Sequence, residues 1–168
     1  MKMKNTCWLV LLLITLAVAG KGTSLHSQVL TTSISSNLNF TLKSGTLSPG
    51  GTLQINILCT PGVQTCPASV SVYADFPAFC GLSAVGGSGA SVPASLVEAR
   101  VNRGEMIPFN SPVPPAYNGC GAMLYNNVTL RPAGQTSLPV SMFIDLRNSS
   151  VPASVMFQGT LRITIDTL

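Results

Sequence analysis

Apolar and polar residues alternate one for one through several short stretches of this chain. The clearest is Phe157 to Leu168, where Leu161, Ile163 and Ile165 fall on one parity and Thr160, Arg162, Thr164 and Asp166 on the other. Successive side chains leave opposite faces of a pleat, so this alternation predicts a half-buried β-strand. Thr52 to Cys59 repeats the pattern, with Leu53, Ile55, Ile57 and Cys59 against Thr52, Gln54, Asn56 and Leu58. Ser69 to Phe76 does so through Val70, Val72 and Ala74, and Ser137 to Leu146 through Leu138, Val140, Met142 and Ile144. Met123 to Leu130 is a further strand. Upstream, Leu30, Thr32, Ile34, Ser36, Leu38, Phe40 and Leu42 share one parity, which gives a first strand with one fairly apolar face.

Turn chemistry separates these runs. Ser44-Gly45, Ser48-Pro49-Gly50-Gly51, Thr60 to Thr65 and Asn148 to Ala153 read as turns, and the glycine-rich Gly81 to Ala90 as a loop. The strands on either side of Thr60 to Thr65 predict a hairpin. Val92 to Val101 suits a short strand and also tolerates one helical turn. The prolines of Ile107 to Gly121 bar it from a sheet centre. Roughly six or seven short strands and no helical period predict an all-β antiparallel β-sandwich. A chain that stops on an alternating strand has nothing left to cover the next edge.

Composition places this domain outside the cytosol. Only 8% of the 168 residues are charged against 46% apolar, which suits turn-rich strands better than a helical cytosolic enzyme. Lys2 and Lys4, the apolar run Cys7 to Val18 and Ala17-Val18-Ala19 form the n-region, h-region and cleavage site of a secretory leader. The run is too short for a spanning helix, which needs about twenty apolar residues. Cleavage after Ala19 divides the chain into residues 1–19 (leader), 20–36 (N-terminal extension) and 37–168 (one β-sandwich domain). The nine basic side chains, less Lys2 and Lys4, leave seven against five acids, a net of +2. So small a charge gives no footprint for nucleic acid.

Catalytic chemistry is sparse. The one histidine, His26, lies in the extension, and Asp75, Glu98, Glu105, Asp145 and Asp166 are dispersed. Asp75 and Asp145 fall near strand ends, where solvated surface acids are the expectation. There is no nucleophile elbow, no H-E-x-x-H and no phosphate loop. The expectation is therefore no enzyme, no cofactor, no metal and no small-molecule substrate. Four cysteines remain after cleavage, Cys59, Cys66, Cys80 and Cys120, and in an exported chain they read as two disulfides. Bridging Cys59 to Cys66 is geometrically easy across the predicted turn and would leave Cys80 for Cys120, although three connectivities are open. Asn39, Asn127 and Asn148 head N-x-S/T sequons, which mark glycans in a eukaryotic secreted chain and also arise by chance in a background this rich in Asn, Ser and Thr.

The order of motifs carries a resemblance. Leu38-Asn39-Phe40 followed by Gly51-Thr52-Leu53-Gln54-Ile55-Asn56-Ile57-Leu58-Cys59-Thr60 resembles the opening of the spore coat protein U domain family. Gln135 to Leu146, Val151-Pro152-Ala153 and Gly159 to Ile165 resemble its close, although Ser154 stands where the usual V-P-A-G turn has glycine. That family includes subunits of archaic, Csu-type chaperone–usher pili. The resemblance implies an immunoglobulin-like sandwich that is incomplete, missing a final strand, and exported through the periplasm to the cell surface. A periplasmic chaperone would fill it first, and the extension of a neighbouring pilin subunit would replace the chaperone strand at an outer-membrane usher. Leu30 and Ile34, or Leu25 and Val29 in the other register, would then be the donor plugs. Phe40, Leu161, Ile163 and Ile165 would line the groove, and the fibre would meet a host or abiotic surface. The alternative is a self-contained secreted β-sandwich, a binding module or adhesin complete as a monomer.

Overall fold

A computed structural model describes residues 14–18, 30–38, 40–60, 66–86, 89–151 and 155–167. Its strands are β1 (Ile14–Val18), β2 (Leu30–Leu38), β3 (Leu47–Cys59), β4 (Ser69–Asp75), β5 (Gly81–Ala84) and β6 (Ser91–Pro93). They continue with β7 (Val97–Val101), β8 (Met106–Pro108), β9 (Gly121–Thr129), β10 (Gln135–Asp145) and β11 (Phe157–Thr167). One sheet runs β6-β5-β11-β4-β9 with β1 beside β11, and the other runs β2-β3-β10-β7-β8. Every pairing is antiparallel except β1 with β11. The fold is an all-β antiparallel sandwich.

The alternating residues build its core. Leu53, Ile55 and Ile57 of β3, Val140, Met142 and Ile144 of β10, Val70, Val72 and Ala74 of β4, and Leu161 and Ile163 of β11 are all buried. Each of these except the smaller Ala74 contributes about 1.5–3 kcal/mol when fully buried. Tyr125 of β9 crosses between the sheets and donates its hydroxyl to the Pro139 carbonyl at 2.6 Å, and burial raises its pKa. Both disulfides, Cys59–Cys66 and Cys80–Cys120, are present.

Local expectations for the joints between strands are corrected at two places and resolved at a third. The strands flanking Thr60 to Thr65 do not form a hairpin, because β3 and β4 lie in different sheets. Cys59–Cys66 therefore staples a crossover between layers. Period-two alternation says that a strand has a buried face but not which sheet it joins. Gly81 to Ala90 is not all loop: Gly81–Ala84 is β5, paired with β6 and the start of β11. The Val92 to Val101 ambiguity resolves into both answers, the end of β6, a 3₁₀ turn at Ala94–Leu96, then β7.

Ser48-Pro49-Gly50-Gly51, expected as a turn, lies within β3. Met142 faces Gly51 and Phe143 faces Pro49, so Gly50 is the extra residue of a β-bulge. Gly51 takes φ 95°, a conformation that favours glycine. Pro49 is tolerated because β2 stops pairing at Gly51, leaving this end of β3 with β10 alone. A Cβ on Gly50 would overlap the buried Phe40 ring. Gly50→Ala should therefore cost about 1–3 kcal/mol by overpacking. Gly134→Ala, whose new methyl meets only ordinary contacts, should be close to neutral. Urea denaturation of the two variants against the parent checks both.

Candidate functional site at the edge of β11

β11 has two different flanks. On one side Arg162 to Thr167 pair antiparallel with β4. On the other, β5 reaches only Phe157 and Gln158, and β1 runs parallel to Gly159–Ile163. Past Ile163 that flank has no partner strand among the described residues. An open edge presents unpaired backbone donors and acceptors in a row and is a template for another strand.

The inward residues of β11 seat this edge on the core. Leu161 and Ile163 are buried, and Ile165 is partly buried against the same cluster. Phe40 and Leu161, two of the four expected groove-lining residues, share a small apolar cavity of about 10 Å³ with Phe76, Leu82, Val97, Met142 and Ile144. It is scarcely large enough for one water molecule. The expected plugs separate: Leu30 and Ile34 lie on β2, paired antiparallel with β3 and packed against their own chain's core. The boundary expected after Ser36 thus falls inside a strand of the domain. Leu25, Val29 and His26 lie outside the described residues.

On the outward face, Arg162 stands opposite Asp75 of β4 and donates from Nε to Oδ1 at 2.9 Å and from Nη2 to Oδ2. Asp75 is wholly buried, against the expectation of a solvated surface acid. Its next neighbour across the sheet is Gly121, and a Cβ there would run into Val113. The loop before β9 therefore folds back over this part of the sheet, tied by the Ser111–Gly121 bridge and the Cys80–Cys120 disulfide. With one side closed, Asp75 takes its counter-ion from the β11 side. The fork geometry gives two charge-assisted bonds and raises the Arg162 pKa. β4 carries Asp75 as its one charged residue and β11 carries Arg162 and Asp166, and only the register brings Asp75 and Arg162 together.

Asp145 stands on β10, in the other sheet from Asp75, and the two acids have separate counter-ions. Asp145 holds Arg147, with Nε 2.9 Å from Oδ1 and Nη2 2.7 Å from Oδ2. The side-chain hydrogen bond from Arg147 lowers the Asp145 carboxyl to about 2. Nearby Glu98 moves the other way, raised first by burial and then by Asp145. One Glu98 oxygen is buried without a hydrogen-bond partner. No group of three metal-ligating side chains occurs among the described residues. No protein-family model and no curated protein matches this sequence.

Two predictions follow from the ion pairs. Arg162→Met leaves Asp75 buried and unpaired and should cost about 3 kcal/mol, at the low end for a broken buried pair because Arg162 is partly exposed. Adding Asp75→Asn should recover part of that loss, read as a double-mutant cycle in denaturant. Asp145, with its folded pKa depressed, contributes stability in full above its ordinary range and loses it as pH falls through about 2. Glu98, raised, opposes folding when ionised, and protonation relieves it as pH falls through its folded pKa. Arg147→Ala should move the Asp145 carboxyl midpoint back toward about 4 and push Glu98 further up, both read by NMR titration.

Proposed function

We propose that this chain is an assembly subunit of a bacterial surface pilus, completed by a strand that another protein supplies along β11. One observation carries the reading: among the described residues, Gly159–Ile163 are met on this flank of β11 only by Ile14–Val18, which falls inside the apolar run read from the sequence as an export leader. Cleavage after Ala19 would remove that partner and leave Gly159–Thr167 without a strand on this side among the described residues. The spore coat protein U resemblance supports the same reading. The paired disulfides suit the oxidising compartment that such a subunit passes through.

In this reading a periplasmic chaperone covers the edge until an outer-membrane usher brings up the next subunit. The arriving subunit then adds its own extension to the sheet. Main-chain hydrogen bonds provide affinity and alternate side chains provide specificity. Because β2 already belongs to its own sheet from Leu30 onward, the donor is residues 20–29, with Leu25 and Val29 as plugs.

A self-contained secreted binding module is the second reading. It is favoured by the five antiparallel strands that each sheet retains without β1. One experiment separates the two. The chain from Gly20 should aggregate or melt low, and the same chain with a second copy of residues 20–29 linked after Leu168 should be a monomer melting well above it. Equally stable monomers, by light scattering and thermal melts, would establish the self-contained module instead.

A further inference from the structure

Resting on the reading that β11 takes an added strand, we propose that Arg162, anchored by Asp75, selects that strand by excluding a cation from the position beside it. Three positions lie in one cross-strand row: Ala17 of β1, Arg162 of β11 and Asp75 of β4. Asp75 is fully buried, and its side toward β9 is closed by Gly121 and Val113. The guanidinium is therefore committed to β4 by two hydrogen bonds, leaving the arginine partly exposed at the edge where a strand arrives.

Paired positions in a ladder put their side chains on one face of the sheet. A lysine or arginine opposite Arg162 would be held beside a fixed positive charge on a partly desolvated surface, and like charges directly opposite destabilise a pair. A carboxylate there would meet guanidinium hydrogens that Asp75 does not use, since the group carries five donors. The partner this edge fits is a strand with an uncharged or acidic residue in register with Arg162, between the positions facing Leu161 and Ile163. Leu16, Ala17 and Val18 occupy those registers in β1.

The test uses the full 168-residue chain with its disulfides formed, in which β1 itself is the probe strand, and reads amide hydrogen exchange at Gly159–Ile163. Ala17→Lys should lower protection there by about fivefold, the scale of one opposed cross-strand pair. Ala17→Glu, similar in size and opposite in sign, should keep or raise protection. Thr15→Lys, two positions away opposite Thr160, should have a smaller effect than Ala17→Lys. Adding Asp75→Asn with Arg162→Met should restore protection to the Ala17→Lys chain. Equal losses from Ala17→Lys, Ala17→Glu and Thr15→Lys would overturn the selection by charge while leaving the open edge intact. Amides at Gly159–Ile163 that exchange freely in the unsubstituted chain would overturn strand addition in this register, and the selection with it.

Discussion

Every backbone N–H and C=O in a sheet interior needs a partner, and β11 meets this demand along most of one flank through β1, its one parallel neighbour. Its β4 flank is satisfied by six consecutive residues, Arg162 to Thr167. The opposite flank relies on two residues of β5 and five of β1. The same strand puts Leu161 and Ile163 into the centre of the core, so it cannot be let go. A strand essential on its inward face and paired through β1 along one flank couples the core to whatever occupies that edge. Under the proposed strand addition, an occupant would supply hydrogen bonds to the strand that holds the apolar layer in place.

The ion pair adds a second constraint. Burying a carboxylate is costly, and Asp75 is tolerable only because Arg162 reaches it in a forked geometry. Hydrophobic alternation alone leaves a strand such as β11 free to slip by two residues and still bury Leu161, Ile163 and Ile165 in some order. Asp75 opposite Arg162 removes that freedom, because any slip would leave a buried carboxylate without its counter-ion. The pair thus fixes β11 against β4, and with it which residues stand along the open flank.

Much of the sandwich was legible because its strands bury one face each. Leu53, Ile55 and Ile57, or Leu138, Val140 and Met142, state in their spacing both the secondary structure and the inward side. What alternation leaves out is the partner. Nothing in Thr52 to Cys59 or Ser69 to Phe76 distinguishes a hairpin within one sheet from an arch between two, and the arch is what forms. Ser48-Pro49-Gly50-Gly51 misled for a related reason: a glycine with positive φ suits a turn and a bulge equally well, and the Phe40 ring packed on Gly50 comes from elsewhere in the sequence. Asp75 looked like a surface acid because its neighbours in sequence are strand residues with one wet face. The closing loop that buries it arrives almost forty residues later, with Val113 and Gly121.

The disulfides belong to the same logic. Cys59–Cys66 ties the end of β3 to the approach of β4, at the point where the chain leaves one sheet for the other. Cys80–Cys120 ties the loop after β4 to the start of β9, beside the segment that closes over Asp75. One crosslink holds the approach to β4 and the other the loop that follows it, and β4 is the strand against which β11 is registered. The covalent, ionic and apolar constraints therefore converge on one flank of β11, while its other flank is met by β1 and the end of β5. If that edge takes an added strand, as proposed, exchange of the occupant would break the edge's own ladder bonds and leave the β4 register, held by Asp75 and Arg162, in place.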